Sequence, residues 1–149
     1  MYGPKYERKV LTVIQIIFGK KGSGKTKRIL DMANESIKDA KGHIIFVDIS
    51  KDYTLNLKPQ IRFVDASEYF VKGVQPFYGF IAGILAGNYD IDVLFIDSFL
   101  KLLQVADEQE LIEYFSKLEK LTEIAGCKVV ISYSDDPANV PECIRKYQI

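Results

Sequence analysis

A chain of 149 residues has the length of one domain with one buried core. Apolar residues make up 48%, and 20 basic side chains balance 20 acidic ones to a formal net charge of zero. This excludes a disordered chain and argues against bulk electrostatic capture of nucleic acid, and no run approaches the ~20 apolar residues of a membrane span.

The two cysteines, Cys127 and Cys143, are too few and too far apart for a zinc site or a disulfide framework, so packing roles and a reduced, cytoplasmic compartment are expected. Arginine is scarce: Arg8, Arg28, Arg62 and Arg145 complete the set.

Residues 1–9 (MYGPKYERK) are polar and read as an exposed lead-in. Residues 11–18 (LTVIQIIF) are apolar apart from Thr12 and Gln15, as in a strand covered on both faces of a parallel sheet. The run is short and β-branched, a strand rather than a signal peptide. It leads straight into Gly19, Lys20, Lys21, Gly22, Ser23, Gly24, Lys25 and Thr26, which fit G-x-x-x-x-G-K-[ST] without a mismatch.

That pattern between a strand and a helix is the setting of a phosphate-binding loop, because the loop must wrap an anion at the positive end of a helix. Gly19, Gly22 and Gly24 let backbone N–H groups turn inward where a Cβ would keep phosphate oxygens away. Lys25 would place its ammonium between the β- and γ-phosphates, and the Thr26 hydroxyl would ligate Mg²⁺. The expected ligand is therefore a nucleoside triphosphate. The competing reading is a lysine- and glycine-rich turn with no ligand.

A helix over residues 25–40 follows, with Ile29, Leu30, Ala33, Ile37 and Ala40 as its core stripe and Gly42 as a left-handed cap. Residues 43–48 (HIIFVD) and 61–64 (IRFV) read as strands, separated by a polar loop over 49–60. Ser67 caps a short turn that Gly73 closes, and Pro76 opens a helix to Ala86. That helix is apolar nearly all round. Close packing against the sheet is the expected reason for Gly79 and Gly83, with a partner surface as the alternative should one face stay exposed.

Residues 93–97 (VLFID) form a fourth buried strand, and 98–105 a short helix. Asp107, with Glu110 three residues on, opens a longer helix whose stripe is Leu111, Ile112, Phe115, Leu118, Leu121 and Ile124, and Gly126 ends it. Residues 128–132 (KVVIS) are the fifth strand, and a tail from 135 ends in a short helix over 142–146. The alternation predicts an α/β fold: a three-layer sandwich on a mostly parallel five-stranded sheet.

Asp97, ending an apolar strand, has the form of a carboxylate that holds the water shell of Mg²⁺, against the reading of a plain strand-end cap. Hydrolysis also needs a group that orients and deprotonates water, and the residue after Asp97 is Ser98 rather than glutamate. Asp48 and Asp52 are the candidates for that base, with solvated loop carboxylates as the equal alternative. Ser132 is a candidate γ-phosphate sensor or a plain strand-end serine. Tyr53, Tyr133 and Tyr147 are candidates to stack on a base, aromatic packing being the alternative.

Residues 90–103 (DIDVLFIDSFLKLL), after the glycine loop and the strand ending at Asp48, resemble the nucleotide-binding core of RecA-like P-loop ATPases. The chain is also similar to small stand-alone bacterial ATP-binding P-loop proteins. The resemblance implies a RecA-like architecture with the strand over 128–132 lying between the loop strand and the Asp97 strand. It implies ATP and Mg²⁺ as cofactors, and a homo-oligomer whose neighbour completes the site. The catalytic glutamate of that family has no counterpart in Asp48-Ile49-Ser50-Lys51-Asp52.

Three functions compete on these residues: a slow or partner-stimulated ATPase, a non-hydrolysing nucleotide switch acting on a protein partner, and a small-molecule or nucleoside kinase. The thin arginine supply weighs against the kinase, with Arg145 the one candidate for its lid. The absence of Asn-Lys-x-Asp weighs against a GTPase.

Overall fold

The computed structural model describes residues 13–104 and 107–149. Strands β1 (Ile14–Gly19), β2 (His43–Asp48), β3 (Ile61–Asp65), β4 (Ile91–Ile96) and β5 (Lys128–Ser134) form one five-stranded sheet. All pairings are parallel and the order is β1-β5-β4-β2-β3. β5 thus lies between β1 and β4, as the resemblance implies.

Helices cover both faces of the sheet. On one face α1 (Lys25–Ser36) sets Ile29, Leu30 and Ala33 against Ile17, Phe46, Phe95 and Val130. The other face carries α2 (Val74–Gly87), α3 (Phe99–Leu103), α4 (Glu108–Ala125) and α5 (Glu142–Arg145). There Phe77, Ile81, Phe99, Tyr114 and Phe115 pack on Ile16, Val47, Ile96 and Ile131. A strand with side chains buried on both faces must be apolar at successive positions, and Ile44 to Asp48 are buried without interruption. No helix among the described residues is long and apolar enough to cross a membrane.

Several local expectations change. The lead-in, Leu11 and Val105 lie outside the described residues. α1 stops at Ser36, four residues short of Ala40, where the Ser36 hydroxyl donates to Ala33 O at 2.7 Å and the chain passes into hydrogen-bonded turns. Gly42 is not a left-handed cap. It is a close-approach glycine, since a Cβ there would run into the Asp90 carbonyl and meet Asp92 Oδ1 at 2.9 Å. The turn after β3 is capped by Asp65, which accepts from the Ser67 N–H at 2.9 Å, and it ends at Phe70 (φ 57°). Gly73 (φ 98°) instead precedes α2, which begins at Val74, ahead of Pro76.

α4 begins and ends as expected, with the Glu110 N–H donating to Asp107 Oδ1 at 2.8 Å and Gly126 at φ 66°. Its buried stripe runs through Tyr114 and leaves Ile124 84% exposed, because at 3.6 residues per turn Ile124 falls on the far side of the helix from Leu111, Phe115 and Leu118. Gly79 and Gly83 face outward with open space where a Cβ would stand, while Phe77, Ile81 and Leu85 do the packing. Beyond α5 the tail returns to β1: the Ile16 N–H donates to Tyr147 O at 2.8 Å and the Ile149 N–H to Ile16 O at 3.1 Å.

Candidate functional site

The site gathers at the carboxyl edge of the sheet, where β1, β5, β4 and β2 end, the edge at which open α/β sheets present ligands. β1 ends at Gly19, and the chain turns through residues 20–24 into α1. Gly22 (φ 81°) and Gly24 (φ 89°) hold left-handed backbone that a side chain would strain. Gly19 is close to Ser23, and a Cβ there would collide with the Ser23 hydroxyl. The Ser23 N–H donates to Lys20 O at 3.1 Å, closing the turn. The loop therefore curls at the N-terminus of a helix of 12 residues, where unpaired N–H groups and the helix dipole favour an anion.

Lys25 opens that helix and is 7% exposed. Its Nζ donates to Lys20 O at 2.8 Å and to Ser23 Oγ at 3.4 Å. Burial lowers its pKa, and the charge of Asp97 partly offsets that. A nearly buried ammonium whose direct partners are a carbonyl and a hydroxyl fits an anionic ligand, which would supply the missing countercharge. Lys20 pairs with Asp136 at 3.4 Å, and Lys21 is exposed.

Asp97 follows β4 and is 5% exposed. Its Oδ2 accepts from Thr26 Oγ1 at 3.2 Å, and its Oδ1 accepts from the Ser132 hydroxyl of β5. A hydroxyl and a carboxylate held this close are the oxygen donors that Mg²⁺ takes from a protein when phosphates and water supply the rest. The Ser132 hydroxyl proton is committed to Asp97, so here Ser132 orients the carboxylate.

Asp48 ends β2 and is 2% exposed. Its Oδ1 accepts from the Ile49 N–H at 2.7 Å and from Ser98 Oγ at 3.0 Å. Burial raises its pKa to about 6; the Asp97 and Asp65 charges push the same way, while the two hydrogen bonds oppose them. Ser98 in turn has left-handed backbone (φ 59°), and its N–H donates to Ser132 Oγ at 3.2 Å.

One network thus joins Thr26, Asp97, Ser132, Ser98 and Asp48. Asp52 is outside it: exposed on the following turn, its N–H donates to Ser50 Oγ at 3.4 Å. Tyr133 is buried against Phe18 and Phe99, and Tyr147 is buried against Phe115, which leaves Tyr53, 41% exposed, as the open ring of the three base-stacking candidates. Arg145 is held by Glu142 and donates to Pro137 O. Sequence reading saw in Ser98 only a missing glutamate, because its role depends on a backbone conformation that serine seldom adopts.

No family model matches the chain, and no curated protein matches it. Among solved structures it is similar to the flagellar accessory protein FlaH from Methanocaldococcus jannaschii, with a TM-score of 0.54 and 17% identity. The match covers 90% of this chain and 65% of FlaH, so the chain spans less than two thirds of that protein's length. At that identity the likeness speaks to fold alone. An all-parallel five-stranded sheet with helices on both faces, this chain has a RecA-like α/β fold.

Proposed function

We propose that this chain is a Mg²⁺-dependent ATP-binding protein with slow or partner-stimulated hydrolysis. The observation that carries the reading is the curled glycine loop at the N-terminus of α1, with the buried Lys25 ammonium lying across it and the Thr26–Asp97 pair beside it. The loop amides and Lys25 would hold the phosphates, and Thr26 and Asp97 would hold Mg²⁺, Thr26 directly and Asp97 through water. Bound there, Mg²⁺ would neutralise charge on the phosphates.

Asp48 is the best placed base, and Asp52 is set aside by its exposure. Asp48 would take a proton from water as the water oxygen bonds to the γ-phosphorus and the bond to the bridging oxygen breaks, giving ADP and phosphate. A base with a pKa of about 6 is ionised at neutral pH and still accepts a proton.

Two features support slow turnover. The base is the shorter aspartate, and the described arginines Arg28, Arg62 and Arg145 make no side-chain bond to the network. A charge-stabilising arginine would then come from a protein partner or a second copy of this chain.

The test is Mg–ATP binding and turnover by the wild type beside Lys25→Ala. Losing charge-assisted contacts of about 1.5–3 kcal/mol should weaken ATP binding on the order of 10- to 100-fold and abolish turnover. A wild type that does not bind ATP refutes the proposal. One observation favours a second reading, a non-hydrolysing switch: the loop after Asp48 carries Leu55 fully exposed, an apolar contact that nucleotide could present to a partner. Tight binding without turnover selects that reading.

A further inference from the structure

We propose that Ser98 is a positioning residue which decides the oxygen of Asp48 that faces the reaction; this rests on the function proposed above. Both donors to Asp48, the Ile49 N–H at 2.7 Å and Ser98 Oγ at 3.0 Å, bond to Oδ1. Oδ2 receives no donor among the described residues. Among these residues, then, the hydrogen bonds that hold this 2%-exposed carboxylate all fall on one of its two oxygens. A carboxylate pinned by one oxygen presents the other in a fixed direction, the requirement for a base that must meet one water proton.

The conformation of Ser98 makes the link possible. In the left-handed region at φ 59° and ψ 37°, the residue turns the chain sharply between Asp97 and α3. The same residue then directs its N–H to Ser132 Oγ on β5 and its hydroxyl to Asp48 on β2. Ser132 donates to Asp97, so the two carboxylates are tied through Ser98 and Ser132 across three adjacent strands. A glycine would fit this backbone better, since left-handed backbone strains a residue with a Cβ. The hydroxyl explains why serine stands there.

The test compares Ser98→Ala, which keeps the strained backbone, with Ser98→Gly, which relieves it; both lack the hydroxyl. In urea the glycine variant should have the higher midpoint of the two. Turnover should nevertheless fall by a similar factor in both, on the order of 10- to 100-fold in kcat, with the ATP dissociation constant within about twofold of wild type. If turnover follows the midpoint instead, with glycine restoring what alanine loses, Ser98 is a structural turn and the proposal fails.

A crystal structure of Ser98→Gly decides the matter without any turnover. Asp48 should be rotated or spread over two carboxylate orientations, and an unchanged orientation overturns the proposal. Failure of the wild type to bind ATP would be seen in the wild-type arm alone, and so remains distinct from failure at Ser98.

Discussion

At the scale of single residues, Asp48 is where stability and chemistry pull apart. It is 2% exposed, faces Asp97 at the end of β4 and Asp65 at the end of β3, and has Ser98 and Ile49 as donors. Its folded-state pKa of about 6 lies above the ordinary 3.8, so the folded protein holds this proton more tightly than the unfolded chain. The contribution is therefore most favourable below pH ~4 and is lost as pH rises to about 6. At 1.36 kcal/mol per pK unit, the ionised group costs the apo protein on the order of 2–3 kcal/mol at neutral pH. Asp48→Asn should remove that slope: urea midpoints measured without Mg²⁺ or nucleotide should change less between pH 4 and 7, and at pH 7 the variant should be at least as stable as wild type. Turnover should fall by about 10²-fold or more. A variant that is less stable at pH 7 would mean that the carboxylate is held ionised by contacts stronger than its burial.

Elements follow from sequence where the signal is chemical and local. The Asp107 cap, Gly126 and the apolar strands stand where the pattern puts them, because each depends on neighbours along the chain. Gly42 shows the limit. Read along the sequence it is a helix stop, but its constraint comes from residues 90–92 on the next strand of the sheet. The Lys41 N–H donates to Asp92 Oδ2 at 2.7 Å and the His43 N–H to Asp90 O at 2.7 Å, latching this segment onto the start of β4. A Cβ at Gly42 meets backbone that cannot swing aside, so Gly42→Ala should destabilise by about 1–3 kcal/mol. Gly83 lies in the middle of α2 with nothing near its Cβ position, so Gly83→Ala should stabilise by about 0.5–1 kcal/mol. Urea denaturation of the two variants should give shifts of opposite sign, and a Gly42→Ala variant no less stable than wild type would show that the latch accommodates a Cβ.

At the scale of the whole molecule, the strand that carries the glycine loop is an edge strand, and the tail covers it. Sequence could place the loop, since eight residues carry that signal together. It could not place the tail, because residues 147–149 are too few to show a strand period and their partner lies far back in the chain. Tyr147 fixes the arrangement: its ring stacks on Phe115 of α4 with centroids 5.5 Å apart, its hydroxyl donates to Glu119, and its carbonyl accepts from the Ile16 N–H. An open β1 edge would expose unpaired backbone groups beside the loop. Tyr147→Ala should therefore cost about 3–5 kcal/mol in urea denaturation, the loss expected for a large buried ring. Mg–ATP at about 100 times its dissociation constant should return about 2.7 kcal/mol by mass action. If the tail only holds β1 in the sheet, the gain at equal saturation is the same in both proteins and the ATP dissociation constant does not change. A weaker dissociation constant in Tyr147→Ala would show that the tail also shapes the loop, and would make the β1 edge part of the nucleotide site.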